Sequence, residues 1–281
     1  MAVVNFIPEV WSARLLTALQ KCHVAFAITN RDYEGDITPG GTVNITSIGD
    51  PTIDDYDGSE FEFESTSDAT RALVIDQKKF FAFQLDDVDR AQVVNGAALL
   101  DEALARATYK LADTLDAYVL DLIASGASNQ LTESTISTAA GAYDHLVQIG
   151  VELDENNVPD AQRWAVVPPS FYGLLLKDSR FIAAGDAQAA AVRSNGVVGM
   201  ATGFTVLKSN NLPVAASGTS STNKFVVAGS SIATTLAEQI SKVEAVRLEK
   251  KFGDGVKGLH VYGAKVLRGE ALVASDVVVS G

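Results

Sequence analysis

Gly253, Gly255 and Gly258 spell G-x-G-x-x-G, a spacing that lets backbone amides wrap a pyrophosphate. That chemistry needs a strand before the glycines and a helix after them. Here Leu259-His260-Val261-Tyr262 reads as a strand, and too little chain follows for a βαβ unit. Asp254-Gly255 is a turn signal instead, which predicts a hairpin. The three histidines, His23, His145 and His260, have no metal-ligand spacing to one another or to Cys22. Asp86, Asp87 and Asp89 have the composition of a paired-carboxylate site, but such clusters more often solvate a strand-to-helix connection. Asp54, Asp55 and Asp57 lack the spacing and glycine of a calcium loop. No G-x-S-x-G elbow anchors a nucleophilic serine. The residues therefore nominate no catalytic centre, no cofactor and no resident metal.

Composition narrows the remaining classes. The 281 residues can bury a sizeable core in one large domain or two small ones. The formal net charge of −13 argues against a broad basic surface for gripping nucleic acid. A single cysteine excludes an intramolecular disulfide. The first residues carry neither a basic n-region nor a signal-length apolar run, and no stretch is long and apolar enough to span a bilayer. A soluble protein made inside the cell is expected.

The element that must organise the chain is Val94–Ala124. Leu100, Leu104, Leu111, Leu115, Val119 and Leu122 recur at helical spacing, and Ala, Leu, Lys and Glu dominate. Glu102 and Arg106 stand four apart, acid first, as in an exposed helix pair. Such a helix is about 40 Å long, well beyond the three or four turns usual in a globular domain. Ahead of it, Val3–Ile7 reads as extended and Glu9–Lys21 as a short amphipathic helix carrying Trp11. A helix this short needs something to pack on, whether its own core or another subunit.

Between Arg31 and Arg71 there is no Lys or Arg, while eleven Asp and Glu occur. Val43/Ile45, Phe61/Phe63, Leu73/Ile75 and Phe81/Phe83/Leu85 alternate with polar residues, predicting a long antiparallel ribbon with an acidic tip near 50–60. A ribbon of few strands wants a partner surface. After the long helix, 125–138 reads as a connection. Asp144–Leu153 reads as a helix, Trp164–Val167 as a buried strand, and Ser170–Lys177 as a helix capped by Ser170. Strands follow at Phe204–Leu207 and Phe225–Ala228, then a helix over Ser231–Gln239. The chain ends in strands over Val243–Phe252, Leu259–Leu267 and Ala271–Val279, in its most basic stretch, which includes Arg247, Lys250 and Lys251. Acidic ribbon and basic tail are expected to meet, within one molecule or between neighbours.

Together these pieces resemble the major capsid proteins of tailed double-stranded DNA bacteriophages, with the Hong Kong 97-type fold. The resemblance rests on the order and spacing of PEVWSARLLTAL, NRDYEGDITPGGTVNI, IDQKKFFAFQLDDVDRAQ, RWAVVPPSFYGLLLKDSRF, NGVVGMATGFTVLKSNNLP and FGDGVKGLHVYGAKVLRGEALV, and covers nearly the whole chain. It implies an α+β fold with an N-terminal arm (1–31) and an extended β-ribbon loop (32–91). A peripheral domain built on the spine helix (92–135 with 240–281) and an α/β axial domain (136–239) complete it. It implies a structural, non-enzymatic shell subunit of the virion that forms hexamers and pentamers around packaged DNA, without sequence-specific DNA binding and without a membrane. Assembly in the bacterial cytoplasm, a portal and possible decoration proteins are implied with it.

Two departures bear on mechanism. Some family members crosslink through a lysine in the extended loop, yet no Lys lies between Lys21 and Lys78, so a noncovalent shell is expected. The chain also enters the arm almost at once, leaving no room for a cleaved scaffolding segment, so a separate scaffolding protein is expected. Candidate subunit-interface residues are Phe6 and Trp11 in the arm, and Asp54, Asp55, Asp57 and Glu60 at the ribbon tip. Arg247, Lys250 and Lys251 are the first receiving cations, and Arg106 and Lys110 on the long helix the second. The alternative is an encapsulin-like compartment on the same fold.

Overall fold

The computed structural model describes residues 24–33, 42–48, 68–86, 96–178, 200–214, 224–248 and 253–279. Its longest element is helix α2 (Gly96–Gly126), following a single turn, α1 (Ala25–Ile28). At 1.5 Å per residue, α2 runs about 45 Å. Leu111, Leu115 and Val119 are buried along it, with Leu104 and Leu122 half-buried at the edges, as the periodicity requires.

Two sheets flank this helix. β3 (Gln77–Asp86), β10 (Gly253–Val266) and β9 (Thr234–Arg247) form an antiparallel sheet in the order β3-β10-β9. Phe81, Phe83 and Val256 pack from it onto Leu104, Leu111 and Ala112 of α2. Phe81 lies so close over Gly258 that a Cβ there would sit 2.3 Å from its ring. The larger sheet has six strands in the order β4-β11-β8-β5-β7-β6: β4 (Asn129–Ile136), β11 (Leu272–Val279), β8 (Lys224–Ser230), β5 (Arg163–Val167), β7 (Phe204–Lys208) and β6 (Met200–Ala201). β4 runs parallel to β11 and β5 to β7; the other pairs are antiparallel. Helices α3 (Ala139–Glu155) and α4 (Pro169–Leu175) complete this unit. The main core joins it to α1, α2 and the ends of β9 and β10. The six-stranded sheet takes β4 and β11 from segments assigned above to the peripheral domain.

A third, two-stranded sheet pairs β1 (Thr42–Ile48) with β2 (Asp68–Val74), in register from Thr42↔Val74 to Ile48↔Asp68. This is the expected ribbon. Its tip, with Phe61, Phe63, Asp54, Asp55, Asp57 and Glu60, lies outside the described residues, as do Val3–Ile7, Glu9–Lys21 and the loop 215–223.

Four local expectations are corrected. Ser231–Gln239 is no helix: a 3-10 turn (Ser231–Ala233) leads directly into β9. Pairing with β10 from Thr234↔Val266 onward outweighs the weak helical pattern, and Thr234 and Thr235 suit a strand. The stretch 125–138 holds β4, which borders the six-stranded sheet with a half-exposed pattern. Asp254-Gly255 does not form the turn: both lie within β10, and Asp254 pairs with Arg247 across the ladder. The chain reverses between Leu248 and Gly253, whose backbones bond at 3.1 Å. Finally, α4 is entered through Pro168 and Pro169, without a side-chain cap from Ser170.

Candidate assembly surfaces

The ribbon is rooted in the small sheet. Val43, Ile45, Leu73 and Ile75 bury themselves against Ala237, with Tyr33, Val261 and Leu267 at the margin. Lys265 donates from Nζ to the Ala72 carbonyl at 2.8 Å, and the Arg71 guanidinium donates to the Leu267 carbonyl. At the elbow between β2 and β3 the chain crosses directly over Gly263, where a Cβ would meet the Val74 carbonyl oxygen at 2.4 Å and Ile75 Cα at 2.8 Å. Only glycine permits that approach. The ribbon thus leaves the body from a packed root.

Beneath the elbow lies a buried polar cluster. His260 and Glu238 meet at 2.8 Å, and Arg31 reaches Glu238 at 3.9 Å while its guanidinium lies over the Phe26 ring. Tyr262 is fully buried beside Tyr118, edge-on at 5.6 Å between centroids. Burial, with Tyr118 and Asp76 nearby, pushes the Tyr262 phenol up to about 12. The Tyr118 phenol is raised too, by burial and then by Asp76.

Among the described residues no strand pairs with β3 on the side away from β10. Between β3 and α2 runs a cleft of about 580 Å³, lined by Lys78, Lys79, Phe80 and Phe81 of the strand and by Arg106 and Lys110 of the helix, among others. Among the described residues no carboxylate lines it. Phe80 is 76% exposed at its rim. Arg106 bonds Glu102 at 2.6 Å and Lys110 meets Asp113 at 3.3 Å, both cations largely in solvent. Pairs of this kind are weak and leave the cations able to exchange partners.

Of the residues nominated from sequence, Arg106 and Lys110 therefore share one cleft. Arg247 sits apart on β9, paired with Asp254 at 3.0 Å and half-exposed. Phe6, Trp11, Asp54, Asp55, Asp57, Glu60, Lys250 and Lys251 lie outside the described residues. Lys78, Lys79 and Phe80 were not nominated, although Lys-Lys-Phe-Phe carried a signal. Two adjacent aromatics on a strand must face opposite sides, so Phe80 had to leave the face that Phe81 packs.

The sites weighed for chemistry resolve into structural roles. Gly253, Gly255 and Gly258 lie within a paired strand, and among the described residues no α-helix follows it. His145 is buried, edge-on to Phe171, with Nε2 2.8 Å from Ser275 Oγ. Asp86 ends β3 opposite Gly253, while Asp87 and Asp89 lie outside the described residues. Among the described residues no group of His, Cys, Asp and Glu is placed to hold a metal ion, and no helix is long and apolar enough to cross a membrane.

A long spine helix between a small sheet and a mixed α/β unit, with a rooted two-stranded ribbon, defines a capsid shell protein of the Hong Kong 97-like fold. The chain belongs to the phage capsid protein family, whose model matches residues 69–275. It is similar to a solved structure from Mycobacterium phage Che8 at 29% identity, covering 98% of this chain and 94% of that one, with a TM-score of 0.73. The cyanophage P-SCSP1u capsid shares the fold at 18% identity (90% and 87% covered, TM-score 0.65), and the mature capsid of bacteriophage PhiM1 at 17% (91% and 87%, TM-score 0.66). No curated protein matches the chain. The protein is a major capsid protein that self-assembles into the virion shell, and an encapsulin-like compartment is the weaker alternative.

Proposed function

We propose that the shell is built from hexameric and pentameric rings held by noncovalent contacts, with the acidic ribbon of one subunit docking on the basic cleft of its neighbour. The observation that carries this is the cleft itself: Lys78, Lys79, Arg106 and Lys110 converge beside an exposed Phe80 in a chain whose net charge is −13. The ribbon tip, with Asp54, Asp55, Asp57 and Glu60, supplies the opposite sign. Long, mobile-headed lysines at a strand edge also discourage random pairing, so charge selects the partner. Individual exposed ion pairs contribute roughly 0.2–1 kcal/mol, and many identical contacts in a closed shell add up. Arg247 on β9, with Lys250 and Lys251 following it in sequence, is the other receiving group for the ribbon.

The domain plan of arm (1–31), extended loop (32–91), peripheral domain (92–135 with 240–281) and axial domain (136–239) belongs to this proposal. So does an arm that engages a neighbour through Phe6 and Trp11. The role is structural rather than enzymatic. The shell forms in the host cytoplasm with a separate scaffolding protein and a portal, accepts decoration proteins where the phage encodes them, and encloses DNA without reading its sequence. The acidic balance supports that last point, because a shell filled with DNA must not adhere to it strongly.

Negative-stain electron microscopy of the purified protein, with its mass by light scattering, tests the assembly proposal. Closed shells, or rings of five and six, are expected. A small oligomer that never assembles, with scaffolding protein supplied or withheld, overturns it.

A further inference from the structure

Asp116 lies on the apolar stripe of α2, four residues from both Ala112 and Leu120, and is buried. A carboxylate in that position is costly unless fully hydrogen-bonded. Its two oxygens serve different parts of the molecule. Oδ1 accepts the backbone N–H of Ala25 at 3.0 Å. Oδ2 accepts the Ser209 hydroxyl at 3.2 Å and the Asn211 side-chain amide at 3.1 Å. Among the described residues no Lys or Arg pairs with it, so three neutral donors hold the charge.

The donors come from two separate parts of the chain. Ala25 opens the turn at which residues 1–23 enter the body; Ala25 and Ile28 are fully buried, and Asn30 bonds both Thr234 and Leu236 at the start of β9. Ser209 and Asn211 follow β7, the strand beside β5, and Ser209 N–H bonds the Val167 carbonyl at the end of β5. The Ser209 hydroxyl also accepts the Asn211 N–H at 3.2 Å, which fixes that loop. One carboxylate on the spine helix therefore ties the root of the N-terminal segment to the end of the six-stranded sheet.

We propose that Asp116 is a positioning residue for shell assembly: it holds the exit direction of residues 1–23 in register with the α/β unit, so that every subunit presents both in one fixed relation. A carboxylate suits the task because it accepts from both sides at once. An asparagine offers one acceptor and one donor, and its N–H₂ would confront the amide of Asn211. Hydrogen bonds to a charged acceptor are stronger than neutral ones, and more so in a buried site.

The test compares the full chain carrying Asp116→Asn, the double variant Ser209→Ala/Asn211→Ala, and the core control Ile149→Val, which touches neither side of the link. Shell uniformity is read by electron microscopy, and melting temperature on unassembled subunits. Each link variant is expected to cut the fraction of uniform closed shells about tenfold beyond the loss in a control of equal melting temperature, roughly the equilibrium weight of one hydrogen bond to a charged group. Asp116→Asn removes the charge, whereas the double variant keeps the charge and removes both donors to Oδ2, so a loss of uniform shells common to the two reports the broken link and not a buried charge left short of partners. Amide exchange at Ala25 in that variant should accelerate by a similar factor, since the carboxylate is free to swing. Shells as uniform as the control's, with Ala25 exchange unchanged, overturn the proposal. Subunits of the Asp116 variant too unstable to purify would leave the double variant to decide in the same two readouts.

Discussion

His145 Nε2 stands 2.8 Å from the hydroxyl of Ser275, joining α3 to strand β11, which lies between β4 and β8. Burial lowers the imidazole pKa from its usual 6.5. A base whose folded pKa is depressed leaves the unfolded chain binding more protons, so stability is complete above about pH 6.5 and falls as pH drops below it. Melting temperatures of unassembled subunits, taken from pH 8 down to pH 5 in steps of about one unit, should decline on the acid side. His145→Gln should be less stable at neutral pH but lose that acid slope. A slope unchanged by the substitution would place its origin elsewhere.

The phenol of Tyr262 is buried with no hydrogen-bond partner among the described residues, and its pKa is pushed from 10.0 to about 12. Here the folded chain resists losing a proton that the unfolded chain gives up. Stability is full below pH 10 and falls as pH rises toward 12. Tyr262→Phe keeps the ring against Tyr118 and removes an unsatisfied hydroxyl. Neutral-pH stability is expected to hold or rise, by up to about 1 kcal/mol, and the alkaline loss to shrink. Chemical denaturation at pH 7 and pH 10.5 (roughly half a unit above the usual phenol pKa) reads both; a marked loss at pH 7 would mean that the hydroxyl is satisfied.

Gly263→Ala should be the most damaging single-methyl change at the ribbon root. The added carbon meets backbone, the Val74 oxygen at 2.4 Å, rather than a side chain that can turn away. Overpacking of this kind costs about 1–3 kcal/mol. The strain falls on the β2–β3 elbow, so shell assembly should fail at temperatures where the subunit is still folded. A melting temperature equal to that of the unsubstituted chain would show that the elbow yields freely.

Charge reversal tests docking. Lys78→Glu/Lys110→Glu and Asp54→Lys/Asp55→Lys should each weaken assembly, and the two mixed together should recover it. Assembly by the unsubstituted chain should weaken with salt, since exposed pairs are screened over about 10 Å at 0.1 M. Failure of any pairing to rescue, including one made at Arg247, would remove electrostatic docking from the mechanism.

Trp11→Ala separates an interface arm from a core segment. Assembly is expected to fall more than the melting temperature of the unassembled subunit. Equal losses in both would return Trp11 to the subunit's own core.

Much of this architecture follows from pattern alone. A helix of 31 residues is legible because each turn repeats the same demand for one apolar face, and β1–β3 are legible because alternation is local. Even Asp116 left a trace, an acid standing on the apolar stripe between Ala112 and Leu120. Its donors could not be read, because they lie 91 to 95 residues away and only folding brings them together. The same holds for β9. Thr234–Arg247 became a strand because β10 offered it a ladder, a long-range choice that local propensity does not contain. The cleft that gathers Lys78 and Lys79 with Arg106 and Lys110 is likewise a product of packing β3 on α2. Local periodicity and composition determined the elements and the segregation of charge. Tertiary structure decided which charges share a surface and where a buried carboxylate finds its partners, because those depend on contacts between residues far apart in the chain.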